Sequence, residues 1–107
     1  MNWEKIFTAT DPEGRNIVFH SSTWDHIKEG HPEVKDIQEI KLTIQKPHFI
    51  TQDSSRKSLA YSRSRSILSP IFNVFTKMDD MYKEGRVTTA FIMTELPKGD
   101  VIWTDQT

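Results

Sequence analysis

The chain has 107 residues, of which 36% are hydrophobic and 27% are charged, and its formal net charge is −1. These values are typical of one globular domain with a modest core, and they give no whole-chain attraction to nucleic acid. The chain has no cysteine, which excludes disulfides, thiolate nucleophiles and cysteine-based zinc sites and fits a reducing cytoplasm. The opening residues predict neither a signal peptide nor a membrane span. We therefore expect a single cytoplasmic domain over residues 1–107.

The first thirty residues predict a β-hairpin followed by a short helix. Residues 5–9 and 16–20 alternate in polarity as strands do, and residues 11–14 supply a proline and a glycine for the turn between them. A helix is expected to begin near Ser22, where serine and threonine precede an acidic residue, and to stop at Gly30.

A second helix is predicted from Pro32 to about Gln45, because its apolar residues recur at the spacing of one buried stripe. After Pro47 the pattern changes to a period of two, which predicts strands. The expected strands cover residues 48–51, 58–62, 70–77, 86–93 and 100–103. Helices early and strands late predict an α+β fold, with the helices on one face of an antiparallel sheet.

Two histidines, His26 and His31, lie five positions apart around the end of the first helix. Histidine has an ordinary pKa of about 6.5 and can exchange protons near neutral pH, so the pair suggests acid–base chemistry. In the alternative, His26 is a half-buried helix residue and His31 caps the second helix. A five-residue gap broken by Gly30 does not place two zinc ligands one helical turn apart, so we expect no metal site.

A stretch without Asp or Glu runs from Ser54 to Met78 and contains several cations: Arg56, Lys57, Arg63, Arg65 and Lys77. This run predicts one positive face that binds phosphate. In the alternative, these are ordinary strand residues around a flexible loop. Tyr61 lies among the arginines and could stack on a base, orient a phosphate or simply pack. A hydroxyl of Thr88 or Thr89 could bind a phosphate oxygen. Packing alone also accounts for both threonines.

Several of these segments, taken in order, resemble a known family. They are Trp24-Asp25-His26-Ile27 with His31-Pro32-Glu33-Val34, then Ile40, Ile44, Pro47 and Ile50, then Tyr61, then Val87-Thr88-Thr89-Ala90-Phe91, and finally Lys98-Gly99-Asp100-Val101-Ile102-Trp103. Over residues 17–103 the chain resembles the small phage-associated nuclease-like domains grouped with barnase, EndoU, the tRNA-cleaving colicins and RelE.

The resemblance implies an α+β fold, with an N-terminal hairpin and two helices packed on a four- to five-stranded antiparallel sheet. It also implies a toxin-like ribonuclease that needs neither metal nor cofactor, or an inactive relative. RNA cleavage would proceed by attack of the 2′-hydroxyl, leaving a 2′,3′-cyclic phosphate, with a general base, a general acid and cations for the phosphate. His26 would be base or acid, and His31 the weaker candidate for the complementary role. Tyr61 and Thr89 would orient the scissile group. The phosphate would be bound by arginine and lysine side chains: Arg56, Lys57, Arg63 and Arg65.

The expected partner is RNA, either tRNA or mRNA, with no membrane. An active toxin would also need an antitoxin or immunity protein, and exposed edge strands could pair in a homodimer. One alternative is an inactive relative that binds RNA or protein for a phage or mobile element. Another is a phage interaction protein whose aromatic residues form a docking patch: Trp3, Phe7, Tyr82 and Trp103.

Overall fold

A computed structural model describes residues 4–64 and 70–105, which form one mixed sheet of seven strands with two α-helices. The helices are α1 (Ser21–Gly30) and α2 (Ile37–Gln45). The strands are β1 (Lys5–Thr10), β2 (Asn16–His20), β3 (Phe49–Asp53), β4 (Ser58–Ser64), β5 (Ile71–Met78), β6 (Glu84–Met93) and β7 (Asp100–Thr104). Within this part of the chain, no helix is long and apolar enough to cross a membrane.

The strand order across the sheet is β1-β2-β6-β5-β4-β3-β7, and every neighbouring pair is antiparallel except β2 and β6. The prediction of a four- to five-stranded antiparallel sheet is therefore wrong. Each strand was located to within two residues of its observed ends. The error arose because alternation marks a strand but does not determine its neighbours. The N-terminal hairpin joins the main sheet through β2, where Asn16 lies opposite Glu84 and Val18 opposite Arg86.

The second helix begins at Ile37 rather than at the predicted Pro32. The side chain of Asp36 accepts a hydrogen bond of 2.8 Å from the backbone nitrogen of Gln38, and this cap defines the start of α2. Val34 is buried even though it lies in the link between the helices. The helical spacing of apolar residues therefore includes Val34, which packs on the core but is not helical, and for this reason the predicted start of α2 was too early. The first helix ends at Gly30, as predicted, but it begins at Ser21, one residue before the expected Ser22, and its N-cap residue His20 makes no side-chain cap hydrogen bond.

The hydrophobic core lies between the helices and one face of the sheet. It joins helix residues such as Ile27, Ile40 and Ile44 to strand residues that include Phe19, Tyr61 and Val74. The opposite face, which we call the far face, carries the alternate residues of the central strands. Cross-strand register places on it Thr51, Ser58, Ala60, Ser62, Asn73, Phe75, Lys77, Arg86, Thr89 and Phe91.

A β-bulge in β6 corrects the predicted faces of that strand. Strict alternation along residues 86–93 predicts that Val87 and Thr89 share one face, with Thr88 on the other. In the structure Thr76 lies opposite Val87 while Phe75 lies opposite Thr89, so Thr88 is one extra residue. Val87 therefore enters the core, and Thr89 turns to the far face. One inserted residue reverses every side chain beyond it.

Residues 94–99 connect β6 to β7 and cross the far face, because β5, β4 and β3 lie between those two strands. We call these residues the crossing segment. Pro97 is buried, and Gly99 has a φ of +129°. A Cβ atom at Gly99 would lie 2.3 Å from the carbonyl oxygen of Gln52. Only glycine permits both this backbone conformation and this approach to β3.

We expect Gly99→Ala to lower the free energy of unfolding by about 2 kcal/mol or more, because it adds backbone strain to a clash with β3. Denaturant unfolding with a fixed m-value measures this change. Gly30→Ala is the matched control, since nothing lies within 4 Å of a Cβ atom there. Equal stability of the two variants would show that the close approach at Gly99 is not a constraint.

Candidate functional site

Three rings stack on the far face beside the end of α1, and we call them the aromatic stack. The centroids of Phe75 and Phe91 are 4.9 Å apart with 21° between the ring planes. His31 lies against Phe91, with centroids 4.7 Å apart and again 21° between the planes. Phe75 and Phe91 are diagonal neighbours on β5 and β6, where aromatic side chains reach each other.

The end of α1 holds His31 in this position. Its backbone nitrogen donates a hydrogen bond of 2.7 Å to the carbonyl oxygen of Ile27, which caps the helix. Its Nδ1 lies 3.7 Å from an Oε2 oxygen of Glu33, and 36% of the imidazole is exposed. The ring is thus held by stacking on Phe91, partly exposed to solvent and close to a carboxylate.

A cavity of about 370 Å³ lies between the far face and the crossing segment. Apolar side chains form most of its lining: Leu59, Ala60, Phe75, Phe91, Met93 and Pro97. The polar lining residues are Thr51, Asp53, Arg56, Ser58 and Lys98. Sequence reasoning missed this cavity, because it depends on the order of the strands and on the route of the crossing segment. The nearest signal in the sequence was the Lys98-Gly99 pair, which the resemblance had included.

Three cations lie at one end of the far face: one from the turn between β3 and β4, one from β5 and one from β6. The side chain of Arg56 is 80% exposed, and its Nε lies 3.7 Å from an oxygen of Asp53. Lys77 donates a hydrogen bond to the carbonyl oxygen of Arg56. Arg86 lies directly across from Lys77 on β6. Close to the aromatic stack, this row supplies positive charge that the whole-chain value of −1 does not reveal.

The predicted phosphate-binding residues are divided between different surfaces. Arg56 lines the cavity. Lys57 adopts a φ of +52° and pairs with Asp80. Arg63 shares the core side of β4 with Tyr61 and donates to the carbonyl oxygen of Lys46. Arg65 lies outside the described residues. The run without acids therefore does not form one continuous basic face, because β4 sends alternate side chains to opposite sides of the sheet.

The predicted catalytic residues are also divided. His31 contacts Phe91, and Thr89 lies opposite Phe75 on the same far face. His26 is exposed on α1, where its neighbour Ile27 turns into the core. Tyr61 is fully buried on the core side. The structure therefore brings His31 and Thr89 to one surface and separates Tyr61 from them.

The Tyr61 hydroxyl donates a hydrogen bond of 2.6 Å to the carboxylate of Asp11. That carboxylate also accepts hydrogen bonds from the backbone nitrogens of Glu13 and Arg15 and from the Arg15 guanidinium, at 2.9, 2.9 and 3.0 Å. Burial, together with the hydrogen bond to Asp11, raises the pKa of the Tyr61 phenol well above its ordinary value. The phenol joins the β1–β2 turn to the centre of the sheet and stays protonated.

The aromatic residues of the alternative docking patch have a different placement. Phe7, Tyr82 and Trp103 are partly buried and pack against the hydrophobic core. Trp3 lies outside the described residues. Among residues 4–64 and 70–105, no three His, Asp or Glu side chains are grouped so that they could hold a metal ion.

Comparisons with known proteins give no relative for this chain. No protein-family model matches it, and no significant match was found among curated proteins or solved structures.

We expect Tyr61→Phe to destabilise the protein by roughly 1.5–3 kcal/mol at neutral pH, because Asp11 loses a hydrogen bond to a buried charge. A pH series gives a second readout. The folded-state pKa of Tyr61 is raised above its unfolded value, so its contribution is complete below pH ~10 and falls at higher pH. The parent should therefore lose up to ~1.4 kcal/mol per pH unit above pH ~10 through this group, and Tyr61→Phe should lack this loss.

Urea unfolding at pH values from about 7 to 11 measures the difference. Tyr82→Phe is the matched control, since it removes the chain's only other phenol and leaves the Asp11 pair intact. An identical alkaline loss in the parent and Tyr61→Phe would contradict the assignment.

Proposed function

We propose that this domain binds single-stranded RNA on the far face of its sheet and cleaves it as a small, toxin-like, metal-independent ribonuclease. The observation that carries the proposal is the aromatic stack of His31, Phe91 and Phe75 next to the cations Arg56 and Lys77. The resemblance of the sequence to phage-associated nuclease-like domains supports the same class. The proposal places the protein in the cytoplasm, where an active enzyme would require an antitoxin or immunity protein.

Binding of a single strand needs two kinds of surface, and the far face offers both. Unpaired bases stack on aromatic side chains, at about 1–3 kcal/mol per base, whereas bases within a duplex are already stacked on each other. Cations beside the rings neutralise the phosphates that connect those bases. Arg56 is mostly exposed, so its guanidinium can approach a phosphate with little rearrangement.

Cleavage needs proton transfer at the 2′-hydroxyl and at the leaving 5′-oxygen. We assign one of these transfers to His31, because its imidazole lies on the surface where the bases would stack. Thr89 would donate a hydrogen bond to a non-bridging oxygen, and Arg56 would offset the charge that develops on phosphorus. His26 is the second proton-transfer candidate. Tyr61 has no contact with RNA in this mechanism and acts by holding the sheet.

The test of cleavage is incubation of the purified protein with total RNA and with tRNA in excess chelator, comparing the parent with His31→Ala and His26→Ala. We expect the parent to give discrete products that end in 2′,3′-cyclic phosphate. His31→Ala should lower the rate by about 10²–10⁴-fold, which is the usual contribution of a proton-transfer group. His26→Ala tests the second candidate, and a comparable loss of rate would assign the complementary proton transfer to His26.

Intact RNA with the parent protein would reject the cleavage proposal. A parent rate retained by His31→Ala and lost by His26→Ala would reject the assignment to His31 and favour proton transfer at α1.

RNA binding without cleavage is the second candidate function, and one observation favours it. The aromatic stack suffices for binding, whereas cleavage needs two proton transfers and the stack contains one histidine, His31.

The salt dependence of RNA affinity tests which cations contact the phosphates. We expect Arg56→Ala to reduce the log–log slope of RNA affinity against salt by about 0.7, the value for one single-strand phosphate. Arg63→Ala is the control, because Arg63 lies on the core side of β4.

Filter binding of a labelled single strand at several salt concentrations measures these slopes. Equal slopes for the parent and Arg56→Ala, with a reduced slope for Arg63→Ala, would move the RNA to the other side of the sheet. No affinity for RNA at low salt would overturn both candidate functions.

A further inference from the structure

We infer that the cavity under the crossing segment binds a single unstacked nucleotide, with the base inside and the phosphate at the rim. This inference rests on the proposed RNA binding and specifies which part of the strand enters the protein. It concerns a second site next to the aromatic stack, since Phe75 and Phe91 belong to both.

The size and lining of the cavity fit one flat ring system. Its volume of about 370 Å³ lies at the lower end of the ~300–1,000 Å³ that is typical of ligand pockets. Ala60 forms a small floor residue directly beside Phe75 on the neighbouring strand. Pro97 of the crossing segment lies on the other side. A planar base could therefore insert between the sheet and the crossing segment and contact apolar surface on both sides.

Thr51 supplies an independent indication of a polar ligand. Its side chain lines the cavity and is only 1% exposed. Its hydroxyl oxygen is buried without a hydrogen-bond partner among the described residues. Buried hydroxyls are nearly always paired, and an unpaired one carries a cost. A hydrogen-bonding edge of a base would provide the missing partner.

The charged residues at the rim of the cavity favour a nucleotide over a purely apolar ligand. Arg56 and Lys98 both line it, so an anionic group attached to the ring would meet two cations. Asp53 lies at the same rim with an oxygen 3.7 Å from the Nε of Arg56. An incoming phosphate would compete with that carboxylate for a solvent-exposed guanidinium, where the existing pair is weak. A flat aromatic body with one phosphate satisfies the walls, the hydroxyl and the rim together.

The test uses the full chain and the four ribonucleoside 5′-monophosphates, titrated singly by calorimetry, with inorganic phosphate as a separate ligand. We expect at least one monophosphate to bind and phosphate alone to bind far more weakly. Thr51→Val preserves the shape of the side chain and removes the unpaired hydroxyl. It should raise the unfolding midpoint of the free protein and lower monophosphate affinity about 10-fold, which corresponds to one lost hydrogen bond.

Thr43→Val is the matched control. Thr43 is equally buried, but its hydroxyl already donates a 2.7 Å hydrogen bond to the carbonyl oxygen of Glu39 within α2. This control should give no gain in the midpoint and no change in nucleotide affinity. Thr51→Val is expected to raise the unfolding midpoint and to lower monophosphate affinity. Substitution of a threonine with a purely structural role would not produce both changes.

A second variant, Ala60→Leu, fills the floor of the cavity and should abolish monophosphate binding. If Ala60→Leu does not fold, the monophosphate affinity of Thr51→Val tests the inference by itself. Single-stranded RNA that binds while no monophosphate does, or monophosphate affinity unchanged in Thr51→Val, would overturn the inference and leave the proposed function standing. Monophosphate binding that depends on Thr51, without any affinity for RNA, would support the cavity and overturn the RNA proposal.

Discussion

The position of β7 beside β3 is the constraint on which the candidate site depends. The chain leaves β6 on one side of three other strands and must reach the far side of β3. Residues 94–99 therefore cross the sheet, and Gly99 allows their close approach to Gln52. This route encloses the cavity and buries Pro97. Without it, Phe75 and Phe91 would lie on an uncovered sheet surface, and Thr51 would be solvated.

The two faces of the sheet carry different kinds of side chains. The core side holds most of the buried apolar side chains and the buried Asp11 carboxylate, which accepts hydrogen bonds from Tyr61, Arg15 and the turn backbone. Each of its partners offsets the cost of removing a charge from water. The far face holds the aromatic stack and the cations Arg56 and Lys77, which are joined by a hydrogen bond. The side chain of Arg56 is 80% exposed, so it can exchange contacts with solvent for contacts with a ligand.

Periodicity predicted local structure well where one face of an element is buried. Residues 16–20 were identified as a strand with the observed bounds, and α1 ends at the predicted glycine. The prediction was wrong where a single residue changed the pattern. Asp36 caps α2, which begins at Ile37, five residues beyond the expected Pro32, and Thr88 adds a bulge that turns Val87 into the core. Such changes depend on individual hydrogen bonds that alternation does not encode.

The sequence by itself determined the approximate limits of each strand and the end of α1 at Gly30, whereas the number of strands in the sheet and the direction of one pair were wrongly predicted. Tertiary structure decided which candidates share a surface. Strand order placed Phe75, Phe91 and His31 in contact, turned Tyr61 and Arg63 to the core side, and created the cavity beside Thr51. The physical reason is that turns and caps are local interactions, whereas strand pairing joins residues far apart in the chain, and only that pairing decides which side chains meet.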